Sequence, residues 1–289
     1  AALPSRPETS GLVAFVSDAA ANDDVYTLDL ASGAVEQLTT NPSQDLSPSW
    51  SPDGRRLAYA SSALEGHLQI AVMNADGTGS RPVSRCSRGA CVSDGSPAWS
   101  PDGALIAFGR LHPDNRFSLL VVRPDGTGLR TLAGGPFAGG ESSLAVASPA
   151  WSPDGTRLAF EREGKIHVIG ADGSGEVELD GDAPGRDLAP AWSPDGRRIA
   201  FVSNRDGPFG IHVMDADGSG AVRLTAPAAA PPGAGDGSPS WSPKGTRLLF
   251  VRDDGSDRNV WIMAPDGGGQ RQLTLSRSTE EEPAWAPAR

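Results

Sequence analysis

Lysine is almost missing from this sequence. Lys165 and Lys244 are the only two among 25 basic residues, against 36 acidic ones, and the formal net charge is −11 over 289 residues. Affinity for a phosphate backbone comes mainly from basic side chains replacing counterions, so a nucleic acid is excluded as the expected partner. Cationic ligands, metal ions and neutral sugars fit such a surface better. Long apolar runs are also missing: none approaches the roughly eighteen residues that would span a bilayer. The first residues, AALPSRPETSG, have neither the basic start nor the apolar stretch of a signal peptide. Residues 1–10 read as a tail outside the fold, of the kind left when a leader is removed.

Histidine is scarce (4 residues) and cysteine scarcer (2). The sequence has no G-x-S-x-G elbow, no H-E-x-x-H, no phosphate loop and no G-x-G-x-x-G in a βαβ setting, so the usual hydrolase, zincin and nucleotide-binding classes lack their signatures. Cys86 and Cys91 are separated by four residues in CSRGAC. A local disulfide would place the protein in an oxidising compartment, which means secreted, periplasmic or cell-surface. Two reduced thiols in a cytosolic protein and a metal pair are the alternatives, the latter without CxxC spacing or a neighbouring His.

What is abundant is a repeat. SPSWSPDGRRLAYAS begins at Ser47, SPAWSPDGALIAFGR at Ser96, SPAWSPDGTRLAFER at Ser148, APAWSPDGRRIAFVS at Ala189 and SPSWSPKGTRLLFVR at Ser238, and a truncated EPAWAPAR starts at Glu282. The anchors Trp50, Trp99, Trp151, Trp192, Trp241 and Trp285 are 49, 52, 41, 49 and 44 residues apart. That period is one four-stranded propeller blade. The Trp segment is strand A, and Ser-Pro-Asp-Gly is a tight turn. The alternating run that follows, such as Arg197–Val202, is strand B. A run such as Ile211–Asp215 is strand C, followed by an Asp-Gly turn and a short strand D such as Val222–Thr225. A Pro stands two residues before every Trp, and Pro is tolerated only where a strand has a free edge, so strand A should face the central channel.

The segment Leu12–Thr39 holds strands B, C and D with no Trp strand before them, and the last segment holds a Trp strand with nothing after it. Together they make one blade. The expected fold is therefore all-β: a six-bladed propeller over residues 11–289, four antiparallel strands per blade, sealed by Pro283–Trp285 beside Leu12–Val16. Sealing removes the exposed sheet edges that invite aggregation.

The P-x-W-S-P-D-G core, with its trailing I-x-V-M-x-x-D-G and L-T elements, resembles the TolB-type, WD40-like propeller repeat over essentially residues 11–287. The α/β domain that precedes the propeller in TolB is not in this sequence. The resemblance implies the fold strongly and the function weakly.

In such a propeller the A–B and C–D turns share one face, and the B–C loops and D–A connections share the other. The second face carries nearly all the sequence variation, including Arg81–Asp94, Ala133–Ala147, Ala226–Gly237, Leu111–Arg116, Asn204–Phe209 and Asp253–Asn259. Variable loops on a rigid scaffold are where binding usually resides. Five residues before each Trp stand Asp45, Asp94, Val146, Asp187, Asp236 and Glu280. Five carboxylates where strand A enters the channel suggest a site for Ca²⁺ or Mg²⁺, or a funnel for a cationic ligand. Equally, an Asp at this place caps the turn into strand A, and acidic or amide residues there are usual for the resembling family. Glu141 could fill the gap at Val146. His67 and His112, in or beside B–C loops, are further candidate site residues, whereas His167 and His212 share the strand C position of Tyr26 and Trp261 and read as packing residues.

Two functions compete at this level. One is an exported, monomeric, non-catalytic scaffold that binds a protein or peptide, with or without a divalent cation. The other is a metal-assisted lyase, hydrolase or isomerase acting on a small molecule or glycan at the channel mouth.

Overall fold

The computed structural model describes residues 11–63, 66–86, 89, 91–135, 148–179, 181, 183–226, 234–275 and 278–288. These form 24 strands in six four-stranded antiparallel sheets. Blade 1 joins β1 (Leu12–Ser17), β2 (Asp24–Asp29) and β3 (Val35–Gln37) to β24 (Glu280–Trp285). Blade 2 holds β4 (Asp45–Trp50), β5 (Arg56–Ser61), β6 (Gln69–Asn74) and β7 (Arg81–Pro82). Blade 3 holds β8 (Ser93–Trp99), β9 (Ile106–Leu111), β10 (Phe117–Val122) and β11 (Arg130–Gly135). In blade 4 the strands are β12 (Ala150–Trp151), β13 (Arg157–Arg162), β14 (Lys165–Gly170) and β15 (Val177–Glu178). Blade 5 contains β16 (Asp187–Trp192), β17 (Arg198–Ser203), β18 (Gly210–Asp215) and β19 (Val222–Arg223). Blade 6 contains β20 (Gly235–Trp241), β21 (Leu248–Asp253), β22 (Arg258–Met263) and β23 (Arg271–Gln272).

Each Trp strand touches the Trp strands of both neighbouring blades, β24 to β4 included, so the six form an unbroken inner ring. Closure joins the two expected segments, with Val13 against Trp285 and Ala14 against Ala284. The core is divided into six packets, each lying between two blades. Trp50, Leu57 and Met73 of blade 2 pack on Ala14, Val25 and Leu38 of blade 1. At the seam, Phe15 and Tyr26 meet Leu249, Val260 and Ile262 of blade 6. The strand B aromatic stacks on the strand C ring in Phe15–Tyr26, Phe160–His167, Phe201–His212 and Phe250–Trp261, which places His167 and His212 as packing residues. From the preceding blade a strand B arginine covers the next Trp, as Arg56 does Trp99 at 4.8 Å and Arg157 does Trp192 at 4.9 Å.

The two faces are built differently. On the turn face, Ser51, Ser100, Ser152 and Ser193 each donate to the Asp two residues on, at 2.6 Å. That Asp also accepts a backbone N–H two residues further, as Asp154 does from Thr156, and these bonds pull the pKa of Asp154 down to about 2. The C–D turns repeat the device: Asp76, Asp125, Asp172 and Asp217 each take the N–H and the hydroxyl of a Thr or Ser. The Asp-Gly sequences are thus hairpin chemistry. Gly218 (φ +91°) is the tightest, because a Cβ there would stand 2.1 Å from the Leu179 carbonyl oxygen. On the loop-rich face the B–C loops run from two residues, Glu163–Gly164, to seven, residues 62–68. Four D–A connections are tied to the loop of the blade before: the N–H groups of Asp45, Asp94, Asp187 and Asp236 donate to the carbonyls of Asp23, Leu68, Gly164 and Phe209.

Candidate functional site

Strand A enters the channel from the loop-rich face, so its first or second residue stands at the mouth. There the five carboxylates are buried, with Asp45, Asp94 and Asp187 at 0% exposure, Asp236 at 1% and Glu280 at 4%. Each is held within its own surroundings. Arg110 grips Asp94 through Nε (2.6 Å) and Nη2 (2.8 Å), and Arg252 grips Asp236 in the same fork (2.7 and 2.8 Å). Asp187 takes Nη2 of Arg205 at 2.7 Å. Burial raises the pKa of Asp45, opposed by hydrogen bonds from Ser61, Asn41 and Thr39. Glu280 lies opposite Ser17 in the closing ladder.

The rule behind these pairs is one of register. The position two residues after the strand B aromatic lies beside the acid five residues before the Trp, and it is Arg110 in blade 3, Arg252 in blade 6, and serine in blades 1, 2 and 5. The arginine planes also lie over the aromatics they follow, at 5.8 Å for Arg110 on Phe108 and 5.2 Å for Arg252 on Phe250. Reading strand B only for its apolar residues hides this partner, although the F-x-R spacing is visible in the sequence.

Blade 4 departs from the rule. Val146 and Glu141 lie outside the described residues. Arg162, at the position of Arg110, instead pairs with Glu176, which also stands 3.1 Å from His167 Nδ1. One residue earlier, Glu161 occupies the position of Val16, Ala60, Gly109, Val202 and Val251. Its side chain is 9% exposed, its nearest charge is Arg186 Nη2 at 3.7 Å, and its Oε2 has no hydrogen-bond partner. Burial pushes its pKa up to about 7, against the pull of Arg186. The two-residue Glu163–Gly164 turn, with φ of +52° and +76°, leaves a recess of about 460 Å³ lined by Arg162, Lys165, His167 and Glu178.

The histidines do not converge. His67 donates from Nε2 to the Cys86 carbonyl, and His112 Nε2 lies 3.0 Å from Ser118 Oγ. Cys86 and Cys91 form a disulfide with Cα atoms 5.4 Å apart. Among the described residues, only Cys86, Cys91 and Asp94 bring three potential metal-ligand atoms within 4.8 Å of one another, and both sulfurs are spent on that bond. Arginines thus clamp three of the five acids at the mouth, Asp94, Asp187 and Asp236. Replacing them tests stability before it tests binding.

Deeper in the channel lies a residue that the count back to the five acids passes over. Three residues before each Trp, where strand A bulges ahead of its proline, Ser47, Ser96, Ser148, Ala189, Ser238 and Glu282 all have positive φ, from +31° to +54°. Glu282 is the odd one. Its carboxylate crosses to the next blade and accepts both the N–H (2.6 Å) and the hydroxyl (2.9 Å) of Ser47. Enclosure raises its pKa to about 7 in spite of these bonds. The signal was in the sequence, as EPAW where the other five copies read SPSW, SPAW or APAW.

A family model described as the TolB beta propeller domain matches residues 3–145 and 96–289. Among solved structures, the chain is similar to TolB from Acinetobacter baumannii (TM-score 0.81, 20% identity, covering 98% of this chain and 68% of that one). It is also similar to a putative TolB from Agrobacterium tumefaciens (0.71, 24%, 92% and 89%). An oligogalacturonate lyase in complex with manganese aligns less closely (0.62, 16%, 91% and 73%). No curated protein matches the sequence significantly. At these identities the solved structures speak for the fold alone. With the family model spanning both halves of the repeat array, the chain belongs to the TolB β-propeller domain family.

Proposed function

We propose that this protein is an exported, non-catalytic binding scaffold that recognises a protein or peptide on its loop-rich face. The asymmetry of the two faces carries the reading. The turn face repeats one Ser-Asp and one Asp-Gly device around the ring. The opposite face holds loops of different lengths on a frame fixed by inter-blade backbone bonds, with a recess of mixed charge over blade 4. A rigid scaffold carrying unlike loops suits recognition of one particular shape. The Cys86–Cys91 bond supports export, since such bonds persist in oxidising compartments. A catalytic reading has less to rest on, because His67 and His112 are engaged in separate local contacts and three of the mouth carboxylates are paired with arginines.

Photo-crosslinkers placed singly at Asp114, Asp206 and Asp257, in B–C loops, and at Asp125 and Lys244, on the turn face, test the proposal in an extract of the native cell envelope. The expected result is one recurrent product from the loop positions and none from the turn positions. Products from both faces alike, or from neither, would overturn it.

A further inference from the structure

The channel wall at the level of the strand A bulges is made of small neutral side chains, save one. Ser47, Ser96, Ser148, Ala189 and Ser238 are partly exposed there, and Glu282 is the sixth member. Ser47 holds both carboxylate oxygens of Glu282 with neutral donors, which fixes the group in place without cancelling its charge. A carboxylate offers about four lone-pair sites, so two remain for something else. The other charges bearing on it, Glu281 beside it and Asp23 from the blade 1 loop, are acidic as well. Among the described residues no Lys, Arg or His pairs with Glu282. Arg258 reaches Glu281 instead.

An anchored, uncompensated carboxylate among the side chains of Ser and Ala is a counter-ion waiting for a cation. Which cation follows from the donor count. Calcium takes six to eight oxygens and magnesium a near-ideal octahedron. This ring supplies one carboxylate, already bound by Ser47, and hydroxyls interrupted by Ala189. An ammonium or guanidinium group needs only one carboxylate and a few acceptors. A long side chain can also deliver its charge while its own backbone stays at the mouth. We propose that the channel takes the head of a lysine or arginine side chain presented by the partner, entering from the loop-rich mouth, with Glu282 as its counter-ion. This rests on the reading of that face as the partner-binding one.

The probe is the tripeptide Gly-Lys-Gly with acetylated N-terminus and amidated C-terminus, with the equally capped and therefore uncharged Gly-norleucine-Gly and calcium chloride alone as controls, titrated while the Ser47 amide is followed by NMR. At pH 8 the lysine peptide should shift the Ser47 signal saturably, and the norleucine peptide should not. Lowering the pH from 8 to 6 should weaken binding about tenfold, because a group titrating near 7 passes from mostly ionised to mostly protonated. Glu282→Gln should cost at least a similar factor. If that variant fails to fold, Ser47→Ala keeps the carboxylate but frees its orientation, and should weaken binding by a smaller factor. Equal binding of the norleucine peptide, pH-independent binding, or a Ser47 shift with calcium but not with Gly-Lys-Gly would each overturn the proposal. Failure here with loop-face crosslinking intact would remove the channel site and leave the face reading standing.

Discussion

Blades 3 and 4 are neighbours with nearly the same opening sequence, SPAWSPDGALIAFGR and SPAWSPDGTRLAFER, and they manage buried charge in opposite ways. In blade 3 the acid and the base meet as a fork, Asp94 with Arg110, and Arg110 Nη2 reaches on to the Arg85 carbonyl beside the disulfide. In blade 4 the arginine turns outward to Glu176, while a second carboxylate, Glu161, sits where every other described blade has a small or apolar residue. The fold tolerates a charge in an inter-blade packet, and the energetic cost should appear as pH dependence.

The largest effect is expected in blade 3. Asp94→Ala leaves Arg110 buried without its partner and should lower stability by about 3–5 kcal/mol in chemical denaturation. Arg162→Met in blade 4 should cost far less, since its ion pair is partly solvated; equal losses would break the contrast. Next comes Glu161. Its folded pKa of about 7 lies above its ordinary value of 4.5, so the folded state binds the proton more tightly. The stability this contributes is complete below about pH 4.5 and is lost as pH rises through 7, a difference of about 3 kcal/mol. Glu161→Gln should remove most of that slope, and Glu282→Gln part of what remains. A slope unchanged in Glu161→Gln would show that the packet is wetter than its burial implies.

Removing the disulfide with Cys86→Ser and Cys91→Ser should cost about 2 kcal/mol, the loop-entropy value for so short a closure. A loss much larger than that would mean the bond also holds the segment that delivers Asp94. Smallest is Glu176→Ala, at roughly 1 kcal/mol or less, because both partners of its pair with Arg162 are about a quarter exposed.

The repeat made most of the ring legible in the sequence. Trp spacing gave the blade count, the Pro before each Trp gave the inner strand, and the missing A strand before Leu12 gave the closure by the Trp285 strand, though not its register. Strand ends differed by a residue or two, as where Val222–Thr225 shortens to Val222–Arg223 because Thr225 turns its hydroxyl to accept from the Ile211 N–H. The site was less legible. An Asp five residues before a Trp looks the same in sequence whether it lines a mouth or is clamped by an arginine. Deciding needs the cross-strand register, which a bulge shifts at that point in each of the five paired A strands with a full ladder. The positive φ at Ser47 and its equivalents had no signal either, since serine before proline ordinarily reads as extended.

The closing ladder has a meaning in time as well as in space. Ser17 and Glu280 are paired across 263 positions of chain, so five of the six inter-blade interfaces can form while the array is still an open arc. The sixth must wait for the last strand. Entropy sets only a modest penalty on so long a loop, growing logarithmically with length, but such distant contacts are slow to find. Until β24 docks, β1 keeps a bare edge and Phe15 and Tyr26 lack part of their packet. Once it docks, no blade is terminal, and losing any one interface forfeits the mutual support of the whole circle.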